Sequence, residues 1–244
     1  MAKRIILEVA GLTKAFGGLR AVDDLSFSMQ GNEILGIIGP NGAGKTTLIN
    51  LITGFLRPDT GEIRFKGQDI TFLSAEKRAR LGIVRTFQLV KPFGNMTTLD
   101  NVAAGRLYGS QPTNNLRQAR AEAEEVLHFV GLGDKGNVMA LNLTFADRRK
   151  LELARALATK PDLLFLDEVL AGLNPVEVEM AMATVRKLKD QGIAIALIEH
   201  IIKAVVALST RIVVIDTGKR LAEGTPEDVL NNPSVIETYL GKEV

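Results

Sequence analysis

Eight consecutive residues constrain this chain more than any other stretch: Gly39, Pro40, Asn41, Gly42, Ala43, Gly44, Lys45 and Thr46, which follow the apolar run 34–38 without a break. Glycines in such a segment let the backbone curl until several N–H groups point at one centre, and a helix opening at its end adds the positive pole of its dipole. Lys45 then brings a mobile charge toward the end of a phosphate chain, and Thr46 a hydroxyl of the kind magnesium accepts. The pattern predicts a strand, a phosphate-holding loop and a helix in that order. A glycine turn that merely caps a helix is the plainer alternative, and the match at four fixed positions between a strand and a helix stands against it.

The remaining hydrophobic pattern agrees. Apolar runs rich in β-branched residues recur at 5–9, 34–38, 83–87, 163–166, 193–198 and 212–215, the last three nearly continuous, as strands covered on both faces read. Helical stretches at 44–53 and 176–191 alternate with them, which predicts an α/β protein with a mostly parallel sheet. From 99 to 159 the strand-like runs vanish and Ala, Leu, Glu, Arg and Gln dominate, above all in 116–130 and 146–158. This predicts a helical insert with loops at 109–115 and 131–137. At the carboxy end Pro226 is placed to open a helix and Pro233 to end it.

Composition narrows the function classes. The 244 residues suffice for one large domain or two small ones, and 46% hydrophobic with 24% charged residues is ordinary for a globular protein. The run 193–198 is broken at Glu199, His200 and Lys203, well short of the roughly 20 apolar residues a membrane crossing needs. Ile5, Ile6 and Leu7 are too short a run for a secretion signal, so a cytosolic protein is expected. The absence of cysteine excludes disulfides, thiolate zinc sites and cysteine nucleophiles, and leaves His128 and His200 as the imidazoles. Thirty basic against 28 acidic residues, a net charge of +2, is not the excess of a chain that wraps nucleic acid.

Residues 163–166 run into Asp167 and Glu168, two adjacent carboxylates at a strand end. Neighbours on a strand point opposite ways, so one can face a magnesium water shell while the other orients or deprotonates an attacking water. We assign Asp167 to the metal and Glu168 to the water. Taken alone the pair reads as a solvated strand end; beside a phosphate loop the functional reading prevails. His200 closes the run 193–198 through Glu199, where it can donate to a terminal phosphate or fix a backbone carbonyl. Gln88 follows the run 83–87, where an amide can meet magnesium or the attacking water. His128 sits in a helical stretch, 124–130, and reads as an ordinary polar residue.

The order and spacing of these pieces resemble the ATP-binding-cassette (ABC) transporter ATPases over nearly the whole chain. The resemblance implies a P-loop NTPase core with a mostly parallel sheet, an antiparallel β subdomain and a helical insert. Residues 1–88 and 160–244 would form the core and β subdomain, and 89–159 the helical subdomain. In such proteins the phosphate loop, here GPNGAGKTT with Thr47, binds ATP and magnesium, followed by a glutamine loop at Gln88, a signature helix, the strand ending in Asp167 and Glu168, a D-loop at 171–175 and a switch histidine at His200. Phe16, within 12–18, stands where an aromatic ring stacks on adenine; ordinary packing is its other reading.

The stretches LTKAFGGLRAVDDLSF, GEIRFKGQDIT, VRTFQ, HFVGLGDK and PEDVLNNPSVIETYLG resemble the branched-chain amino acid uptake branch. That branch implies transport of branched-chain amino acids or similar small polar solutes. It also implies permease subunits in the membrane, a second ABC ATPase subunit in a heterodimer or homodimer, a periplasmic substrate-binding protein that acts indirectly, and a peripheral place on the cytoplasmic face of the inner membrane. A groove beside Gln88 formed with 89–96, including Phe93 and Met96, would receive a permease helix; interior packing is the alternative.

The departures are specific. Where the family has Leu-Ser-Gly-Gly-Gln, which in each site faces the other subunit's ATP, this chain has Leu143, Thr144, Phe145, Ala146 and Asp147. Ala146 adds a Cβ where close backbone approach favours glycine, and Asp147 adds a negative charge, so contact with phosphate is expected to weaken. Val169 replaces a proline and Ile201 an aspartate. Two rival readings stay open: a non-transport ABC ATPase, and a nucleotide-regulated binding module with impaired hydrolysis. A small-molecule kinase on the same loop would need an acceptor pocket and a lid.

Overall fold

The computed structural model describes the backbone of residues 4–87 and 91–240, with side chains as far as residue 238. The chain forms two units, residues 1–75 with 185–244 and residues 76–184.

The first unit opens with an antiparallel hairpin, β1 (Ile5–Phe16) and β2 (Leu19–Gln30), and β4 (Thr60–Phe65) joins β1 on its other side with the short β5 (Gln68–Asp69) at the edge. Leu7 pairs with Met29 and Phe65, and Val9 with Phe27 and Ile63, all buried. The strand expected over 5–9 therefore continues to Phe16. Gly11, at φ 59°, and the register shift between Val9 and Leu12 break the alternation by which a strand is read from sequence. Between these strands lie β3 (Ile34–Ile38), buried at every residue, and α1 (Lys45–Thr53).

The second unit follows. After α2 (Ala75–Leu81) comes β6 (Ile83–Arg85), shorter than the run 83–87 suggested, and three helices: α3 (Thr98–Tyr108), α4 (Leu116–Phe129) and α5 (Phe145–Ala158). Each has a polar cap of the kind that satisfies first-turn amides: Thr97 accepts from Asp100, Asn115 from Arg117 and Gln118, and Thr144 from Asp147. Small residues set the packing distance, for a Cβ at Gly105 of α3 would meet the Arg155 carbonyl oxygen of α5 at 2.6 Å. β7 (Leu163–Asp167), wholly buried, runs parallel to β6, and α6 (Pro175–Asp190) carries the chain onward.

On its return to the first unit the chain forms β8 (Ala194–Ile198), α7 (Ile202–Leu208), β9 (Arg211–Asp216) and β10 (Lys219–Gly224). β3 lies parallel to both β8 and β9, and β10 closes the edge antiparallel to β9. Ile38, Val205, Ile212, Val214, Val229 and Val235 form one core cluster under this edge. Pro233 does not end a helix as expected. α8 (Pro226–Leu230) has already stopped, and Pro233 opens α9 (Pro233–Leu240), a position where its missing N–H costs nothing. The mostly parallel pairing, the antiparallel sheet and the helical insert read from the sequence are all present.

Candidate nucleotide site

The phosphate loop leaves the carboxyl end of β3 and is held by backbone on both sides. The Ala43 N–H donates to the Pro40 carbonyl at 3.2 Å, the Gly218 N–H to Ala43 at 2.9 Å, and the Asp23 N–H to Gly218 at 2.9 Å. Gly39 and Gly44 make this possible, because a Cβ at either would lie 2.1 Å from a carbonyl oxygen, of Ile215 and Ala21 respectively. Gly44 is also the residue before α1, at φ 101°; it has no side chain to cap the helix, and no acidic residue stands in the first turn. The positive end of α1 is left to an external anion. Lys45 is buried, and its Nζ donates to the carbonyls of Gly39 at 2.7 Å and Pro40 at 2.9 Å, which fixes the ammonium over the loop. Asn41, Gly42 and Thr46 are exposed, and Thr47 is half-buried.

His200 reaches the same edge of the sheet. Ile37 of β3 pairs with Ile198 of β8, so in register His200, two residues past Ile198, corresponds to Gly39, two residues past Ile37; it is exposed, whereas Glu199 is buried. Ligands of parallel sheets gather at such carboxyl ends. Phe16 ends β1 with 48% of its surface exposed and with Lys14 Nζ 5.7 Å from the ring centroid, so it is not a core residue.

Asp167, Glu168 and the stretch 143–147 belong to the second unit. Asp167 is the last residue of β7 and is buried; its Oδ2 accepts from Arg85 at 2.8 Å, and its N–H donates to the Thr86 hydroxyl at 3.2 Å. Glu168, half-buried, leaves the strand at φ 51°, the left-handed region that non-glycine residues rarely occupy and that costs of order 1–3 kcal/mol where it is held. Gln88 lies outside the described residues. Phe87 just before it donates its N–H to Glu152 Oε1 at 2.5 Å.

Thr144 caps α5, and Asp147 is turned inward. The Asp147 carboxylate accepts from Thr144 Oγ1 and Lys135 Nζ, both at 2.7 Å, and lies 4.0 Å from Lys150. Burial raises its pKa, but the bonds from Lys135 and Thr144 outweigh that and hold it below the usual carboxylate range. The negative charge expected to face a phosphate is thus neutralised within the unit. Phe145 stands exposed with the Arg149 guanidinium 5.3 Å from its ring, Ala146 is half-buried and Leu143 is buried.

A groove of about 290 Å³ opens beside this helix, lined among others by Phe87, Phe93, Tyr108, Glu152 and Arg155. Arg155 lies 4.6 Å from the Phe93 ring centroid and Arg85 4.8 Å from that of Phe87. Burial pushes the Glu152 carboxyl up, against the Phe87 amide and the charges of Arg149, Arg155 and Arg85; burial likewise pulls Arg85 and Arg155 down, though a guanidinium stays protonated at neutral pH.

A family model described as "ABC transporter" matches residues 22–171, and one described as "Branched-chain amino acid ATP-binding cassette transporter" matches residues 219–244. The chain belongs to the ABC transporter ATPase family. It is similar to the high-affinity branched-chain amino acid transport ATP-binding proteins BraF of Pseudomonas aeruginosa, 42% identical over 98% of this chain and 99% of that one, and LivG of Escherichia coli K12, 41% identical over 97% and 98%. Among solved structures a nucleotide-free ATP-binding cassette from an ABC transporter superposes with TM-score 0.87 at 32% identity, covering 98% of this chain and all of that one (100%). The ADP conformation of the cassette MJ1267 does so with TM-score 0.87 at 33% identity, over 98% and 99%. The fold of this cassette is the ABC ATPase fold.

The residues of the cassette suit the groups it would hold. The open end of α1 and the loop amides suit a phosphate chain. Thr46 in the first unit offers a hydroxyl and Asp167 in the second a carboxylate, each a hard oxygen donor of the kind magnesium accepts. Among the described residues no cluster of three acidic or histidine side chains gathers to hold a metal without the help of phosphate oxygens. Among those residues, too, no helix is long and apolar enough to cross a membrane. Sequence reasoning did not find Arg85 and Glu152. Their signal was a charge inside an apolar run, at position 85, and another in the buried stripe of a helix, at position 152.

Proposed function

We propose that this cassette is the ATP-hydrolysing subunit of an importer for branched-chain amino acids or similar small polar solutes. It would sit peripherally on the cytoplasmic face of the inner membrane against permease subunits, with a second ABC ATPase as its partner and a periplasmic binding protein delivering the solute from the other side. Likeness to BraF and LivG over almost the full length supports the branch. The observation that carries the ATP reading is the phosphate loop, with Lys45 held over it and the end of α1 left uncapped.

In this reading the loop formed by Gly39, Pro40, Asn41, Gly42, Ala43 and Gly44 holds the phosphates through the N–H groups of its residues other than proline, together with Lys45, Thr46 and Thr47, and Phe16 stacks on adenine. Thr46, Asp167 and Gln88 hold magnesium, which when bound neutralises phosphate charge. Glu168 takes the proton of the attacking water, a role worth roughly 10² to 10⁴ in rate, and His200 donates to the terminal phosphate. The helical subdomain, 89–159, presents residues 143–147 to the ATP of the partner ATPase, and the groove beside Phe93 receives a permease helix. Closure of the two ATPases on ATP and their release on hydrolysis then drive the permeases.

Calorimetry with magnesium and ATP, and uptake of labelled leucine by cells carrying the assembled transporter, test this. Lys45→Ala is expected to abolish both tight binding and uptake; unchanged affinity and uptake would overturn the reading. The altered stretch 143–147 favours a refinement: the site that uses this chain's phosphate loop hydrolyses, and the site that uses its signature is impaired.

A further inference from the structure

The second unit contains a continuous set of bonds from the middle of α5 to the carboxylate at the end of β7. Glu152, on α5, accepts the Phe87 N–H at 2.5 Å. Arg85, two residues before Phe87, lies with its guanidinium 4.8 Å from that ring's centroid, donates from Nε to the Thr86 carbonyl at 3.1 Å, and donates from an Nη to Asp167 Oδ2 at 2.8 Å. The side chains of Arg85 and Asp167 are each only 7% exposed, so the pair is shielded from solvent and salt. Thr86 completes the attachment by accepting the Asp167 N–H at 3.2 Å and donating to the Phe165 carbonyl at 3.4 Å. The same helix is capped by Thr144, and the same Phe87 and Glu152 line the groove.

We propose that Arg85 and Glu152 are positioning residues for Asp167. Arg85 fixes the orientation of the carboxylate through its bond to Oδ2, and Glu152 fixes the backbone that carries Arg85 to the signature helix. A shift of α5, or of whatever fills the groove, is then transmitted to the metal-side carboxylate through bonded atoms rather than through loose packing. This rests on the reading of Asp167 as a magnesium residue. Partners that orient a ligating carboxylate are commonly worth 10- to 100-fold in metal affinity. A buried ion pair that served the fold alone would have no such effect on metal binding.

The test is calorimetric titration of the full-length protein with ADP, once with magnesium and once with EDTA. The ratio of the two affinities isolates the metal's share. Arg85→Met is expected to lower that ratio by about tenfold or more while leaving the EDTA affinity unchanged, and Arg85→Lys to restore most of it. Glu152→Leu, which removes the acceptor for Phe87, should lower the ratio, whereas Glu152→Gln, which keeps one, should not. Asp167→Asn separates the two readings. If it leaves the ratio intact, Asp167 is not a metal residue and the inference falls with that reading. If it lowers the ratio while Arg85→Met does not, or while lysine fails to restore it, Arg85 is a structural partner only and the inference alone is overturned. Should Arg85→Met lose ADP binding in EDTA as well, the Glu152 pair decides: a loss confined to leucine supports the proposal, and equal ratios overturn it.

Discussion

The methyl group that alanine would add at Gly44 meets the Ala21 carbonyl oxygen at 2.1 Å, on a backbone already at φ 101°. Neither neighbour is a side chain that can turn aside, because the atoms met are main chain, of Ala21 in β2 and, at 3.5 Å, of Gly218. Gly44→Ala should therefore lower the unfolding midpoint and abolish nucleotide binding together, whereas at Gly42, where a Cβ would meet nothing within 4 Å, alanine should cost only the strain of a positive φ, about 1 kcal/mol. Melting curves and ADP titrations of the two variants check the contrast; equal losses would refute it. The phosphate loop was legible because its chemistry depends on neighbours in sequence: amides, lysine and hydroxyl must follow one another at fixed spacing to converge on phosphate. Arg85 was not, because its partner stands 82 positions away and Glu152 meets Phe87 across 65. Pattern reading has no access to such a pairing until the strands are aligned.

Among the elements, α5 shows how a departure in sequence is absorbed locally. Asp147 stands in the first turn, accepts from the Thr144 hydroxyl at 2.7 Å and from Lys135 at 2.7 Å, while its own N–H donates back to Thr144 at 3.2 Å. Acidic groups are favoured at this end of a helix, and a threonine cap is worth about 1 kcal/mol. Thr144→Ala is thus expected to destabilise the protein by about 1 kcal/mol and Thr144→Ser by less, read from denaturant midpoints at constant slope. Helices of this kind were legible almost to the residue, 146–158 against Phe145–Ala158, because cap and periodicity agree. The first hairpin was not. β2 buries Val22, Leu25, Phe27 and Met29, but Asp23 and Asp24, the latter at φ 50°, interrupt the alternation, and the pairing with β1 shifts register across them, from Leu12–Leu25 to Lys14–Val22. Pro233 was misread for a related reason: proline opens helices as readily as it follows them.

For the molecule as a whole, acid stability and the asymmetry of the ATPase pair are both open to measurement. Glu122 accepts from Arg106 at 2.6 Å and Lys160 at 2.8 Å, and these bonds, against a smaller cost of burial, bring its carboxyl down from 4.5 to about 2. A depressed carboxyl stabilises the fold above its ordinary value and loses that contribution as pH falls through its folded one, so stability should drop between about pH 4.5 and 2. Glu152, pushed up by burial, works in the opposite direction. Glu122→Gln should accordingly melt below wild type at pH 7 and converge with it near pH 2; a constant gap would mean that the loss is packing rather than charge. The proposed asymmetry rests on the neutralised Asp147 and the half-buried Ala146. Their site lacks the glycine that permits close approach, yet carries no free negative charge against phosphate, so it should hold ATP and hydrolyse it poorly. In the assembled pair Glu168→Gln should then remove most of the ATPase rate, because it disables the site in which this chain supplies the phosphate loop and the partner the signature. The equivalent change in the partner should remove little. Ala146→Gly would raise the residual rate of the Glu168→Gln assembly if the Cβ is what separates the two sites, and equal losses from the two glutamate changes would show the sites to be equivalent.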